Sequence, residues 1–362
     1  MEITGAGRLE VRITPLDVGK RVSIRRLVDP SEGGGTFTDV VGVLTSWDEN
    51  DVLVITRRSG EVVRVPRTAL VAGKTVPATP ARRRGPATGF AELTSVMSRA
   101  WRPVESEPLG EWELRAAGGF TRRANSALAC GDPGLPVDEA LTLVRSWYAA
   151  RSLPAYIQAA TGAAGTQEAL CAALDERGWV REVSADVRIG GLAPIADLDA
   201  DISRVTLGRS PGTGPAAGGG GGGWLRRYQR SSGEPGPEVL EVLGSGPSVW
   251  FASIAADPAD TDPANPADGA DGVRDPEVPV AIGRCVVDGR WAGFMAVEVD
   301  PARRRRGLAR SVMAALARRA LEEGASAAWL QVERENTAAG ALYAGMGFTT
   351  HHSYHHYRAP GD

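Results

Sequence analysis

A chain of 362 residues, 43% hydrophobic and 23% charged, is long enough for two or three domains, and none of its apolar runs approaches the roughly 18–20 residues that span a bilayer. The net charge of −3 excludes a globally basic nucleic-acid binder, and Cys130, Cys171 and Cys285 are too few and too scattered for a disulfide framework or a zinc site. The N-terminal MEITGAGRLEVRI has no basic head or continuous apolar stretch, so a cytoplasmic location is expected, with no membrane partner. All but Lys20 and Lys74 of the 41 basic residues are arginine, so a single arginine carries little functional weight.

Residues 15–77 alternate apolar and polar positions over Lys20–Arg25, Val40–Ser46, Asp51–Arg57 and Glu61–Pro66, with turn signals at Glu49-Asn50 and Ser59-Gly60. This pattern predicts a small all-β antiparallel barrel or meander, which resembles the Src-homology-like barrel and offers a surface for a protein partner. Residues 77–86, with Arg82-Arg83-Arg84, have linker composition, and a three-residue charge run is weak support for nucleic-acid binding. Residues 208–223, ending in six glycines, and 257–279, with seven acids against Arg274, are expected to be mobile insertions.

The remaining sequence contains one layout twice. Residues 131–136 make a turn, followed by a helix Asp138–Ala150, a strand Ala155–Ala160, a helix Thr166–Arg177 and Gly178-Trp179. Residues 304–309 make a second turn, followed by a helix to about Glu323, a strand Ala328–Glu333, a helix Thr337–Gly345 and Gly347-Phe348. Asp138 to Gly178 spans 40 positions, as does Gly307 to Gly347. The domains expected are therefore a barrel at 15–77, a first half at 87–180 and a second at 181–358. The helix face Ala140, Leu143, Val144 and Trp147 needs a burial partner, most simply the other half.

In the second copy a strand ends at Asp300-Pro301, and Arg304-Arg305-Arg306-Gly307-Leu308-Ala309 turns into a helix with Leu308, Val312, Leu316 and Ala320 on one face. Such a junction leaves backbone N–H groups unpaired at the positive end of the helix dipole, and Gly307 lets a phosphate approach. Read alone, the turn is equally an ordinary helix start with solvated arginines. Val299, Pro301, Arg304, Gly307, Ala309, Asn336, Ala339, Leu342-Tyr343 and Gly347-Phe348 together resemble the acetyl-CoA-binding core of the GNAT superfamily of N-acetyltransferases over some 58 residues. The whole layout is similar to a subfamily in which a small barrel precedes a degenerate and then an intact GNAT half, giving an α/β (α+β) fold.

The resemblance implies that Val297 and Val299 pair with the pantetheine arm, that Arg304, Arg305, Arg306, Gly307, Leu308, Ala309 and Arg310 hold the pyrophosphate, and that Asn336 binds pantetheine or orders its loop. It also implies that Tyr343 protonates the departing thiolate, a role that suits a phenol protonated at pH 7. An acceptor amine, on a small molecule or a protein, needs a base. Gln331 stands where some relatives carry glutamate, so Glu298 is the favoured carboxylate, with Glu333, His351 and His352 as alternatives. Strand alternation puts His352 and His356 on one face and His351 and His355 on the other, as a solvated terminal strand or a cleft lining with too few ligands for a metal. The first copy has Gly131-Asp132-Pro133-Gly134 for the arginine turn and Leu174 at the tyrosine position, so it is expected to be a degenerate half that packs against the active one or helps form the substrate groove. The rival reading is a non-catalytic acyl-CoA-binding regulator.

Overall fold

The computed structural model describes residues 11–27, 37–57, 61–76, 86–211, 223–228, 235–256 and 277–361. The Ser59-Gly60 turn, Arg82-Arg83-Arg84 and nearly all of the two insertions lie outside these residues. The chain divides into two units, residues 1–84 and 85–362. Among the described residues no helix is long and apolar enough to cross a membrane, and Cys130, Cys171 and Cys285 are free thiols.

In the first unit five strands, β1 (Arg21–Leu27), β2 (Phe37–Trp47), β3 (Val52–Thr56), β4 (Val62–Pro66) and β5 (Leu70–Thr75), form one antiparallel sheet in the order β4-β3-β2-β1-β5. Alternation along β1 turns Val22 and Ile24 inward, where they pack with Val40, Leu44, Leu53, Ile55 and Val65. The fifth strand went unread because Leu70 to Ala72 do not alternate, being half-buried in succession.

The second unit builds α1 (Phe90–Arg99), β6 (Glu105–Leu109), β7 (Trp112–Ala116), β8 (Ala127–Leu128), α2 (Val137–Ala149), β9 (Tyr156–Thr161), α3 (Glu168–Glu176) and β10 (Val180–Gly191). After α4 (Ala193–Ala196) come β11 (Val205–Gly208), α5 (Gly223–Arg227), α6 (Pro237–Gly244), β12 (Ser248–Ile254), β13 (Ala281–Asp288), β14 (Trp291–Val299), α7 (Leu308–Glu322), β15 (Ala327–Glu333), α8 (Thr337–Gly345) and β16 (Thr349–Arg358). All eleven strands share one sheet, ordered β11-β12-β13-β14-β15-β10-β16-β9-β8-β7-β6. From the parallel pair onward the two copies match: β8 runs parallel to β9 as β14 does to β15, and each pair is followed by a helix and a long strand.

The last strands of the copies are exchanged. β10 lies between β15 and β16, and β16 lies between β10 and β9, so each half is completed by a strand of the other. The division expected at residues 180/181 therefore falls at the first residue of a shared strand. One core cluster joins α1, Trp101 and Phe120 to Trp329 and Tyr354 across the two copies. On α2 the buried residues are Ala140, Leu141, Val144, Trp147 and Tyr148, whereas Leu143 is 47% exposed. The face is thus rotated by one position, because Leu141 rather than Leu143 continues the spacing from Val137 and Ala140. It packs with its own half's Trp112 and Ile157, and the other half contributes Tyr357 of β16 and Ala359.

Candidate active site

α7 is the best-packed helix of the unit: Val312, Leu316 and Ala320 are fully buried, with Leu308 partly buried at its start. Burying Val312 and Leu316 contributes about 1.5–3 kcal/mol each, which fixes the turn that precedes them. In that turn Arg305 (φ 65°) and Gly307 (φ 82°) are left-handed, and Gly307 is the N-cap residue with no side chain to satisfy the first N–H groups. A Cβ on Gly307 would meet nothing within 4 Å. The junction is therefore open and lined with backbone donors, an anion-binding arrangement. Arg304, Arg305, Arg306 and Arg310 are exposed, while Arg303 turns inward and is buried, so the arginine run is not a uniform solvated face.

Beside this turn the sheet opens. β14 and β15 pair only from Trp291↔Ala327 to Phe294↔Leu330. Beyond that point β14 bulges: Ile282 pairs with Glu298 and Arg284 with Met295, so Ala296 and Val297 together face Gly283, and Ala296 takes φ 51°. A bulge bends and twists its strand, and here it carries Ala296–Val299 away from β15. The backbone edge that faces β15 is left without a strand partner, as an extended ligand arm requires.

The opening leads into a cleft of about 730 Å³ lined by Val297, Glu298, Val299, Arg304, Arg305, Gly307, Leu308, Ala309, Arg310, Asn336 and Tyr343, every expected site residue except Arg306. Val297 and Val299 pack with the cluster that holds Val312 and Tyr343. Met295 and Ala296 pack instead with Trp101, Phe120 and Tyr228. By strand alternation Glu298 faces away from Val297 and Val299, toward this second side. The cleft thus has a helix side, with Tyr343 and Asn336, and an opposite side toward the first copy.

Asn336 caps α8, its Oδ1 accepting from the Ala339 N–H at 3.1 Å, so of its two expected roles loop ordering is the one with a bond. Tyr343 is 9% exposed and packs edge-on to Phe348. Among the described residues nothing bonds its hydroxyl, and burial pushes its pKa up to about 12. It therefore stays protonated at neutral pH.

The first copy supplies the opposite wall. Thr121, Arg122 and Arg123 line the cleft on a short 3-10 turn. Buried Asn125 fixes that loop with four bonds: its Oδ1 accepts from the Ala117 and Gly119 N–H groups, and its Nδ2 donates to the Phe120 and Thr121 carbonyls. Thr121 holds φ 60°, a strain such bonding sustains. Arg123 of the first copy donates to Oε1 of Gln331 in the second, a bond that ties the two copies together. Nothing in the local sequence links residues 121–123 to a site some 170 positions further on.

The histidines correct the sequence reading. β16 is central, not a solvated terminal strand, and His352, His355 and His356 are buried. His352 and His356 do share a face, as alternation predicts. A bulge where the β10–β16 register shifts at Val187/Arg188 brings His351 to the same side, its Nδ1 2.8 Å from that of His352 and its Nε2 3.2 Å from the Thr88 carbonyl. Neither His351 nor His352 lines the cleft; His356 does. His355, on the other face, bonds Ser184 and Thr161. Burial lowers His352 and His355 to about 4, helped in His355 by the Arg181 and Arg334 guanidiniums. Among the described residues no three His, Cys, Asp or Glu side chains gather to hold a metal.

Residues 223–357 match the family model described as "Probable histone acetyltransferase Rv0428c C-terminal", and residues 16–74 match "Rv0428c N-terminal Sm-like domain". The barrel is thus Sm-like, a more specific kinship than the Src-homology resemblance, which alternation alone cannot separate from it. No curated protein matches the chain. Among solved structures, a GCN5-related N-acetyltransferase from Kribbella flavida superposes with TM-score 0.53 at 17% identity, over 76% of this chain and 98% of that one. A tandem GNAT protein from the clavulanic acid biosynthesis pathway superposes more loosely, with TM-score 0.43 at 14% identity over 66% and 76% of the two chains.

Proposed function

On the premise that residues 85–362 carry the GNAT fold behind an Sm-like barrel, we propose that the chain is an acetyl-CoA-dependent N-acetyltransferase that moves an acetyl group directly to a primary amine in a ternary complex. The observation that supports this best is the meeting, in one cleft, of an unpaired β14 edge, a glycine-led helix start and an unengaged tyrosine hydroxyl. The turn at 304–310 suits a pyrophosphate through backbone N–H groups and exposed guanidiniums. The edge of Val297 and Val299 suits an amide-bearing arm added like a strand. Bound there, acetyl-CoA supplies a thioester carbonyl for attack by a neutral amine.

In this reading Glu298, on the far side of β14 from Val297 and Val299, removes the proton of the incoming ammonium directly or through water. Tyr343 donates its phenolic proton as negative charge develops on sulfur. Transfer is complete without any covalent bond to the protein. The test is acetyl-CoA calorimetry on the full chain, followed by a screen of amines and peptides for CoA-thiol release. Binding with turnover supports the enzyme, whereas binding with no turnover across the screen favours the regulatory acyl-CoA sensor.

A further inference from the structure

The helix that carries Tyr343 is only thinly anchored by apolar burial. Of Thr337–Gly345, Tyr343 alone is buried, with Ala339 and Leu342 packed partly against the same core. So narrow an apolar face fixes the height and rotation of a helix weakly, and a polar contact to a neighbouring element then bears on where the Tyr343 hydroxyl stands. That contact comes from the first copy. Arg188 of β10 donates from Nη1 to the Gly340 carbonyl at 2.7 Å. Gly340 lies three residues before Tyr343, so the bond grips α8 within one turn of the hydroxyl and on nearly the same side.

The guanidinium is itself held in place. Asp186, two residues back and therefore on the same face of β10, accepts from Arg188 Nη2 at 3.4 Å, and Asp186 also accepts from Arg334 Nε at 3.0 Å and Ser353 Oγ at 2.9 Å. Arg188 Nε is buried without a partner, so the terminal nitrogens set its orientation. A Cβ on Gly340 would lie 3.4 Å from Arg188 Nη2, and glycine, otherwise unfavourable inside a helix, lets the guanidinium lie against the backbone. Arg188 does not line the cleft. The first copy offers a control for the arrangement. The step that relates Gly347 to Gly178 also relates Tyr343 to Leu174, Gly340 to Cys171 and Arg188 to Tyr357. There Tyr357 meets Cys171 in one apolar cluster with Leu174. The guanidinium on a helix carbonyl thus belongs to the copy whose helix has a hydroxyl to aim.

We propose that Arg188 is a positioning residue that holds α8 so that the Tyr343 hydroxyl faces the departing sulfur, which makes the exchanged strand β10 a working part of the second copy's site. This rests on the transfer reading above, in which Tyr343 is the acid. A hydrogen bond from a charged donor is stronger than a neutral one, and a misplacement of about 1 Å at a reacting group costs on the order of 10²-fold in rate. The phosphate turn and the β14 edge lie on other elements, so cofactor affinity does not depend on the bond.

The test uses the full chain and reads CoA-thiol release with the amine or peptide that the screen above turns over fastest. Arg188→Met leaves Asp186 its bonds to Arg334 and Ser353 and is expected to lower kcat about tenfold or more, with calorimetric acetyl-CoA affinity within about twofold of the unmodified protein. Gly340→Val, whose methyl groups enter the space of the guanidinium, is expected to act alike from the helix side. In a Tyr343→Phe chain, Arg188→Met is expected to lower kcat no further. Unaltered kcat in both single variants, a matching loss of acetyl-CoA affinity, or a loss undiminished in the Tyr343→Phe chain overturns the proposal, while turnover by the unmodified protein leaves the transfer reading standing. If no amine is turned over, the transfer reading fails and hydrogen exchange decides the positioning. Amides 341–345 exchanging at least about tenfold faster in Arg188→Met, with α7 unchanged, support it, and unchanged exchange overturns it.

Discussion

The two copies close their second helix with the same backbone and differ in the turn that precedes their first helix. Phe348 N–H bonds the Tyr343 carbonyl at 3.1 Å, and Trp179 N–H bonds the Leu174 carbonyl at 3.0 Å. Gly347 (φ 94°) and Gly178 (φ 74°) both turn left-handed between them. Before the first helix, the second copy leaves its glycine turn open, whereas the first copy fills its own: the Glu111 carboxylate accepts from the Asp132 N–H, and Glu111 N–H bonds the Asp132 carbonyl at 2.8 Å. Asp132 also spends its side chain on the Gly134 N–H. A carboxylate of the protein thus occupies a turn N–H of the kind that the second copy leaves open, and Leu174, fully buried, stands where the second copy has the Tyr343 hydroxyl. The bonds that close the second helix are thus kept in both copies, whereas the turn N–H groups left open in the second copy are engaged internally in the first.

The bluntest way to break the comparison is to cut between the copies. A chain starting at residue 192 lacks β10, leaving β15 and β16 each without a central neighbour, and it is expected to lose cooperative thermal unfolding altogether by calorimetry. A soluble, cooperatively folded fragment would show that the strand exchange is dispensable. Within the folded chain, Tyr343→Phe is expected to lower kcat by about 10²–10⁴-fold with acetyl-CoA affinity nearly unchanged, because only the transition state places charge on sulfur. Steady-state kinetics with calorimetry separates the two effects, and an unaltered kcat removes Tyr343 from the mechanism.

Gly307→Val tests the helix start. It places a β-branched residue at φ 82° with its Cβ in open space, so an acetyl-CoA affinity loss of about tenfold or more is expected with a modest fall in Tm. The same titration counts sites: one acetyl-CoA per chain is expected, and a stoichiometry of two would show that the Glu111 bond does not close the first copy. The smallest effect concerns acid. An unfolded histidine takes its proton near pH 6.5 and folded His355 only at about 4. Between those values the unfolded state binds more protons, so stability falls as pH drops through that window and levels off below it. His355→Gln should make the Tm-versus-pH slope shallower there, and an unchanged slope would discount the buried imidazole.

The elements that line the cleft were legible in the sequence because they fall within one stretch where turn, strand and helix signals agree, and Thr337–Gly345 is the helix that spacing predicted. The barrel's alternation gave four strands and missed Leu70–Thr75, which does not alternate. Three further features lay beyond sequence reasoning. The bulge at Ala296 depends on how β13 and β14 pair, not on a glycine or proline. The burial of β16 depends on its neighbours, since His351–His356 looks polar until β9 and β10 cover both edges. Arg123 and Asn125 belong to a loop whose purpose is set by residues met far later in the chain.

The exchanged strands also shape how the molecule is made. β9 is complete at residue 161 and β10 at residue 191, yet the strand that belongs between them begins only at residue 349. During synthesis both stand with an unpaired edge while the whole of β11 to β15 is added, a pairing of very long sequence separation. Such edges invite association with other chains. Emergence from the ribosome is therefore the hazardous interval for this protein, and a chaperone that shields bare strand edges should raise its soluble yield more than one that shields apolar helices.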